Sequence, residues 1–87
     1  MRDIGTAIAM KYMGVKPGIP DYMIAIANEA YFGLFIEFKA DTGRLSSSQI
    51  ERGDALRARG YKVVVATSAV QAMEILMQYL GRANAVD

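Results

Sequence analysis

Three charged residues lie along two apolar segments in the first half of the chain. Asp21 follows Pro20 at the start of one segment, and Glu37 and Lys39 lie two residues apart within the next. Residues two apart in a strand point to the same face of a sheet, so Glu37 and Lys39 would emerge side by side. Buried charges are costly unless they are paired or coordinate a metal ion. The pattern therefore indicates metal-assisted chemistry on a phosphodiester.

The residue types restrict which metal could bind. The chain has no His and no Cys, which excludes imidazole ligands, zinc–thiolate sites and disulfides. Carboxylates are hard oxygen ligands, and they select Mg²⁺ or Mn²⁺ rather than zinc. We expect Asp21, Glu37 and a backbone carbonyl to hold the ion, while Lys39 positions the nucleophile or stabilises developing negative charge. In the structural alternative, Asp21 is a turn residue, and Glu37 and Lys39 form ordinary ion pairs on a solvated strand.

The elements that must hold these residues follow from hydrophobic periodicity, glycines and helix-capping residues. An S-x-x-Q sequence, typical of a capping box, precedes each of two helices, at residues 46–49 and 68–71. The order is α-β-β-α-β-α, which indicates an α/β fold with a small mixed sheet flanked by helices. The predicted elements are a helix over 3–13, strands over 21–27, 33–40 and 61–67, and helices over 47–59 and 69–80.

The first two strands are expected to form an antiparallel hairpin. A turn over residues 28–32 would pair residue 21 with 39 and residue 23 with 37. In that register Asp21 lies opposite Lys39 and diagonal to Glu37, and cross-strand neighbours have Cβ atoms about 5 Å apart. The strand over 61–67 is expected to lie parallel to the strand over 33–40 after a helical crossover, buried on both faces.

The length and composition suit one small domain that meets another subunit. The chain has 87 residues, of which 53% are hydrophobic, so we expect a single domain over 1–87 with residues 81–87 as a frayed tail. The apolar runs are much shorter than the ~20 residues that span a bilayer, which predicts no membrane contact and a cytoplasmic location. The formal net charge is +1, so any nucleic-acid surface would come from local clusters of cations.

A longer set of spaced residues surrounds the charged cluster. G-x-P-D is followed by E-x-K in a strand, by G-x-L-S-x-x-Q opening a helix, and by G-Y-x-V-x-V in a strand. This order, over roughly residues 14–80, resembles the VRR-NUC family, the virus-type replication-repair nuclease branch of the PD-(D/E)XK phosphodiesterases, in its small stand-alone phage and bacterial type. The residues that carry the resemblance are Gly18, Pro20, Asp21, Glu37, Lys39, Gly43, Leu45, Ser46, Gln49, Gly60 and Tyr61.

The resemblance implies a restriction-endonuclease-like PD-(D/E)XK core and assigns roles to individual residues. Asp21, Glu37 and the backbone carbonyl of Phe38 would ligate the metal. Lys39 would be the catalytic lysine, and Gln49 would reach back from its helix to orient a water or a phosphate. The other interpretation of Gln49 is as the partner in the capping box, and we expect one side chain to fill only one of these roles.

One feature of the family has no clear counterpart in this sequence. Family members carry a further Glu on a helix upstream of the G-x-P-D segment, whereas the acid that precedes Asp21 here is Asp3. The third carboxylate would then be dispensable, or it would come from Asp3 or from a neighbouring subunit.

The residues and the resemblance together predict a Mg²⁺- or Mn²⁺-dependent endonuclease that cuts branched DNA in a bacterial or phage-infected cell. Four-way junctions are the expected substrate, cut by a homodimer or a dimer of dimers with both terminal helices in the contact. Lys16, Arg44 and Ser46 are expected to contact DNA. The alternatives are a flap-specific or exonucleolytic nuclease, a non-catalytic DNA-binding or assembly module with a nuclease fold, and a small α/β interaction domain with surface ion pairs.

Overall fold

The computed structural model describes residues 9–11 and 18–81 of the chain. This part forms a four-stranded sheet and two helices. No helix within it is long and apolar enough to cross a membrane. In chain order the elements are β1 (Ala9–Lys11), β2 (Tyr22–Ile24), β3 (Leu34–Phe38), α1 (Ser47–Ala58), β4 (Lys62–Ala66) and α2 (Ala69–Tyr79).

The sheet is mixed, as the sequence predicts. Its strands lie in the order β1-β2-β3-β4, with the first two pairs antiparallel and β3 parallel to β4. Helix α1 carries the chain from β3 to β4. It ends one residue earlier than predicted, and Gly60 follows it with a φ of 96°, a conformation that favours glycine. The strands and helices predicted from residue 21 onwards are present with shifted ends.

The helix predicted over residues 3–13 is wrong where the structure describes it. Residues 9–11 form strand β1, in which Ala9 pairs with Ile24 and Lys11 with Tyr22. Helix propensity is a weak preference that tertiary pairing overrides, and β1 supplies partners for the outer backbone groups of β2. The remaining residues of the predicted helix, and Lys16, lie outside the described ranges.

The register between β2 and β3 differs by two residues from the predicted one. Tyr22 pairs with Ile36 and Ile24 with Leu34, so the next step along the ladder places Asp21 across from Glu37 rather than Lys39. A shift by two residues leaves every side chain on its predicted face, whereas a shift by one would reverse them all.

The register shifts because β2 ends at Ile24 and a longer connection follows. The backbone oxygen of Ile26 accepts a hydrogen bond of 2.7 Å from the Tyr79 hydroxyl of α2. The side chain of Asn28 donates to the Tyr79 carbonyl at 3.0 Å and accepts hydrogen bonds from the backbone amides of residues 30 and 31. The connection is therefore bound to α2, and residues 25–27 do not extend the hairpin as predicted.

The two faces of the sheet have different characters. The α2 face carries the apolar core, and the α1 face carries the alternate residues of β3 and β4, including Glu37 and Val63. The prediction that β4 is buried on both faces is wrong at Val65, which is exposed. The buried core residues on the α2 face are Ile24, Leu34, Ile36, Ala66, Ala72 and Tyr79.

Candidate active site

Glu37 is a buried charged side chain, with only 6% of its surface exposed. It lies near the end of β3, on the face that α1 covers. Residues 34–36 of the strand are apolar and buried, whereas Phe38 after Glu37 is exposed. The expectation that this strand has little contact with solvent is therefore confirmed up to Glu37. A carboxylate in such a place requires polar or cationic partners.

Two side chains approach the same oxygen of Glu37. The Nε2 amide of Gln49 donates a hydrogen bond of 2.9 Å to Oε2, and the Nζ atom of Lys39 lies 3.9 Å from it. Both contacts come from the directions that the sequence predicts, one from α1 and one from two residues along β3. The Lys39 distance is longer than a hydrogen bond, so the ammonium contributes charge at this site without a direct bond to the carboxylate.

Asp21 reaches the end of β3 from the start of β2. Its Oδ2 atom accepts a hydrogen bond of 3.0 Å from the backbone amide of Phe38. The next amide, that of Lys39, donates instead to Ala66 of β4 at 3.0 Å. Because the amide and carbonyl of one strand residue point towards the same neighbouring strand, the Phe38 carbonyl is directed to the Asp21 side of β3.

The surroundings of Glu37 raise its pKa above the ordinary value for a glutamate. Burial is the largest cause, and the negative charge of Asp21 is the second. The positive charge of Lys39 and hydrogen bonds from the Asp21 backbone and the Gln49 amide act in the opposite direction and lower the pKa. The negative charge of Asp21 therefore destabilises the charged form of Glu37, and a cation between the two carboxylates would relieve that repulsion.

Gln49 completes the capping box and also reaches into the site, although these two arrangements were expected to exclude each other. Its predicted role in orienting a water or a phosphate stays a prediction. Its Oε1 atom accepts a hydrogen bond of 2.8 Å from the backbone amide of Ser46, which completes the capping box. Its Nε2 atom donates to Glu37. The expectation was wrong because a carboxamide has an acceptor at one end and donors at the other, and the two partners lie on opposite sides of it.

A small cavity of about 60 Å³ opens beside these groups, between α1 and the segment that precedes Asp21. Of the predicted site residues, Glu37 and Gln49 line it whereas Asp21 and Lys39 do not, and its volume excludes a whole nucleotide. A larger cavity of about 680 Å³ lies against α2, but its lining contains none of the predicted site residues. The small cavity is lined by Gly18, Pro20, Glu37, Leu45, Gln49, Ile50, Gly53, Arg57, Val63 and Val65.

Gly18 lies directly against the first turn of α1. A Cβ atom at this position would collide with the carbonyl oxygen of Ser48 and come 2.8 Å from the Cγ atom of Arg52. The φ of Gly18 is 86°, which side chains also disfavour. The glycine of the G-x-P-D sequence therefore allows the backbone to pass close to the helix, and this path brings Asp21 to the end of β3.

Two of the three residues predicted to contact DNA lie at the approach to α1. Arg44 is exposed in the loop between β3 and α1. Ser46 is the N-cap of α1, where its hydroxyl accepts from the Gln49 amide at 3.1 Å and lies 3.1 Å from the Ser48 hydroxyl. Lys16, like Asp3, lies outside the described residues. Within those residues no group of three or more acidic side chains is present.

Sequence reasoning missed the part that Arg57 has in this cavity. Its guanidinium donates to the Val63 carbonyl at 3.0 Å and pairs with Asp54 at 3.2 Å. The sequence offered one signal, the spacing of residues 49, 50, 53 and 57, which places them on one side of a helix.

Comparison with known proteins agrees with this geometry. The family model described as VRR-NUC domain matches residues 1–70. A solved structure described as a VRR_NUC domain protein is 34% identical in sequence and has a TM-score of 0.79, with 86% of this chain and 69% of that chain covered. No curated protein matches the chain. The chain therefore belongs to the VRR-NUC family, whose domain is a nuclease domain of the PD-(D/E)XK type.

Proposed function

We propose that this protein is a divalent-metal-dependent DNA endonuclease whose active site consists of Asp21, Glu37, Lys39 and Gln49. The observation that carries the proposal is the buried Glu37 carboxylate, which a lysine and a helical glutamine approach while a second carboxylate raises its pKa. An ordinary surface ion pair would not place a carboxylate at 6% exposure. Perturbed acids with specific partners beside a cavity are typical of catalytic sites.

The donor set fits Mg²⁺ or Mn²⁺. Asp21, Glu37 and the backbone carbonyl of Phe38 would hold the ion, since they offer oxygen ligands on adjacent strands and no nitrogen or sulfur. When bound, the ion would neutralise charge on the phosphate and lower the pKa of a coordinated water. Burial and, after it, the negative charge of Asp21 raise the pKa of Glu37, and an ion held by both carboxylates would offset that repulsion.

Lys39 would act on the reacting groups directly. Its ammonium lies 3.9 Å from Glu37 without a direct hydrogen bond, so it can donate to a phosphate oxygen or to the attacking water. In the reaction the water oxygen forms a bond to phosphorus and the phosphorus–oxygen bond to the leaving sugar breaks. The proton released by the water balances the proton that the leaving oxygen gains. Stabilising the charge on the phosphate as these bonds change is the expected role of Lys39.

Gln49 would act as a positioning residue. Its amide joins the backbone at the start of α1 to the carboxylate of Glu37. The helix start thereby restricts the rotation of Glu37, and preorganised ligands of this kind contribute to both metal affinity and rate.

Branched DNA, with four-way junctions as the main substrate, is the proposed target of a homodimer or dimer of dimers. Lys16, Arg44 and Ser46 would contact phosphates, and Arg44 is exposed near the cavity as that role requires. The dimer contact would use α2, whose outer side exposes Val70, Met73 and Met77. The N-terminal helix predicted to share this contact is replaced by a strand at residues 9–11. Flap cutting is the alternative for a monomer.

A non-catalytic DNA-binding module is the second candidate. It is favoured by one observation, the lack of a third acidic side chain near Asp21 and Glu37 within the described ranges. Such a module would bind DNA with the same salt dependence as the nuclease but would not hydrolyse it in the presence of metal.

The test is cleavage of labelled linear, flap and four-way DNA in Mg²⁺, Mn²⁺ or EDTA. We expect metal-dependent cutting of the four-way substrate by the wild type and none by Lys39→Ala. Sedimentation at micromolar concentration measures the assembly in parallel. Binding without cutting in either metal would favour the second candidate, and a 9.5 kDa monomer that cuts flaps would favour the alternative substrate.

A further inference from the structure

A second groove lies along a different side of α1, towards the end of the helix opposite to Gln49. Its volume is about 610 Å³, roughly ten times that of the cavity next to Glu37. This size falls within the range of pockets that hold a small organic ligand. We refer to it as the Phe32 groove, and its lining residues are Ile19, Phe32, Arg52, Ala55, Leu56, Arg59 and Tyr61.

The Phe32 ring is exposed but held in place. The residue is 68% exposed, yet its backbone amide donates to the Gly60 carbonyl at 2.9 Å. The ring lies against the backbone of Gly60, where a Cβ atom would come 2.7 Å from two ring carbons. The Tyr61 ring meets it edge-on at 6.2 Å. One side of Phe32 is therefore supported by the protein, and the other presents a flat apolar surface to solvent.

Two arginines accompany the ring. Arg52 and Arg59 lie on the same side of α1 as Ala55 and Leu56, because residues three, four and seven apart share a helix face. Arg57 points elsewhere, since it is bound to Asp54 and to the β4 backbone. Among the described residues, no acidic side chain lines the groove, so the charge of this lining is complementary to an anion.

We propose that the Phe32 groove binds an unpaired nucleotide of the DNA substrate, with its base stacked on Phe32 and its phosphates on Arg52 and Arg59. Aromatic rings with flanking cations are the common means of binding single strands, since every base has a face that can stack. A second protein copy would meet two arginines in this groove that form no ion pair with any residue in ranges 9–11 and 18–81. An unpaired nucleotide supplies both the ring and the negative charge that the lining lacks.

The position of the groove gives it a role in choosing substrates, and this role rests on the proposed nuclease function. Gly18 and Pro20 line the cavity next to Glu37, while Ile19 between them lines the groove. A strand that passes over this segment would contact both sites. Phe32 precedes β3 and Glu37 lies near its end, roughly 16 Å apart at the rise of a strand. The groove therefore favours DNA that has an unpaired base a few nucleotides from the cut, as a flap has and as a four-way junction has where base pairs open at its branch. Bases of a continuous duplex are stacked inside it and cannot reach Phe32.

The test compares two labelled strands with wild-type protein in EDTA, so that no cleavage occurs. One strand is oligothymidylate, and the other carries the same phosphates with abasic sites. Phe32→Ala should weaken binding of oligothymidylate by roughly 5- to 150-fold per stacked base and leave the abasic strand unaffected. A merely structural role of Phe32 would weaken both strands alike.

A second variant gives an independent readout. The chain has no Trp, so Phe32→Trp introduces a single indole that keeps the stacking surface. Its fluorescence should be quenched by oligothymidylate and not by the abasic strand. In contrast, Arg52→Ala and Arg59→Ala should weaken binding of both strands, and each should reduce the slope of log Kd against log salt by about 0.7.

Equal effects of Phe32→Ala on the two strands, or no base-dependent quenching in Phe32→Trp, would overturn the proposal. So would a loss of self-association in Phe32→Ala with unchanged DNA affinity, because the groove would then contact protein. Cleavage is scored separately. Wild-type protein that binds bases through Phe32 but cuts no DNA would refute the nuclease function and leave the groove assignment in place. Protein that cuts DNA but binds it without any contribution from Phe32 would refute the groove assignment and leave the nuclease function in place.

Discussion

The two helices begin with the same local sequence and differ in what their glutamines reach. Ser46 caps α1 and Ser68 caps α2, and each serine hydroxyl accepts from the backbone amide three residues later, at 3.1 and 3.0 Å. The Gln71 side chain stays local, since its Oε1 atom accepts from the amide and hydroxyl of Thr67. The Gln49 side chain accepts from the Ser46 amide and also donates to Glu37, across the space between helix and sheet.

The difference shows that the S-x-x-Q sequence determines a helix start and that the sheet determines whether the start has a further role. Helix α1 begins after a loop that returns the chain to the face holding Glu37, whereas only two residues connect the end of β4 to the start of α2. A glutamine at the third position of a helix is thus available to any polar group placed opposite it. Only at α1 does the structure place a buried carboxylate there.

The largest effects are expected from the two charged residues next to Glu37, the carboxylate that the α1 glutamine contacts. Lys39→Ala and Asp21→Ala should each lower the cleavage rate by about 10²–10³ or more, since each removes a preorganised charge. Lys62→Ala is the matched control, because that lysine lies over the Tyr31 ring on the other face of the sheet. Single-turnover cleavage of labelled DNA measures the rates. A rate near that of wild type in either variant would contradict the assignment of that residue to the active site.

The two glutamines allow a direct test of the comparison. Gln49→Ala should lower the cleavage rate by roughly 10- to 100-fold, as loss of a group that orients a metal ligand does, whereas Gln71→Ala should leave it unchanged. Gln49→Glu sharpens the test, because it keeps an acceptor for the Ser46 amide but sets a negative charge against Glu37. An equal loss of rate in Gln49→Ala and Gln71→Ala would mean that the loss of hydrogen bonds at the helix start accounts for the lower rate in both variants.

A third effect concerns stability and pH. The pKa of Glu37 is raised in the folded protein, so the folded state binds its proton more tightly and metal-free stability falls as pH rises from the unfolded pKa through the folded one. Glu37→Gln and Asp21→Asn should be more stable than wild type at neutral pH and should flatten this dependence. Thermal melting between pH 4 and 8 measures it.

Added metal should make the wild type more stable than the Glu37→Gln and Asp21→Asn variants. Mg²⁺ or Mn²⁺ at a hundred times its Kd would stabilise the wild type by about 2.7 kcal/mol, and the variants should gain less. Gln71→Ala serves as a control that leaves both carboxylates intact. Metal-dependent melting shifts of equal size in all of these proteins would rule out ligation by Asp21 and Glu37.

The smallest effect is expected from the caps themselves. Ser46→Ala and Ser68→Ala should each cost about 0.5–2 kcal/mol in unfolding free energy, because each removes one acceptor for a helix amide. Denaturant unfolding should give similar losses for the two variants. Cleavage should fall further in Ser46→Ala, since its helix start also orients Glu37. Activity that follows stability equally in both variants would show that the two starts are functionally alike.

Much of the site could be predicted because its signals are local. The caps at Ser46 and Ser68 and the glycine at 60 mark helix ends, and alternation along β3 places Glu37 and Lys39 on one face. The predicted proximity of Asp21 and Glu37 remained valid under the wrong register, because a shift by two residues preserves the face.

What could not be predicted depends on contacts between distant residues. The end of β2 follows from hydrogen bonds of Ile26 and Asn28 to Tyr79, more than fifty positions away. Strand β1 forms because β2 offers it an edge, against the helix propensity of its own residues. The two contacts of Gln49 follow from the distance between α1 and β3, which the sequence does not give. The exposure of Phe32 follows in the same way from the path of the chain at Gly60.

The close approach of Gly18 to the Ser48 carbonyl has a consequence for motion in the folded protein. With no room for a Cβ atom between them, the segment that leads to Asp21 cannot slide along α1 or settle nearer to it. We therefore expect the two halves of the site, one on that segment and one at the helix start, to move together. Fraying of the first turn of α1 would release Gln49 from Glu37 and loosen the path to Asp21 in one event, so the site is either assembled or open as a whole.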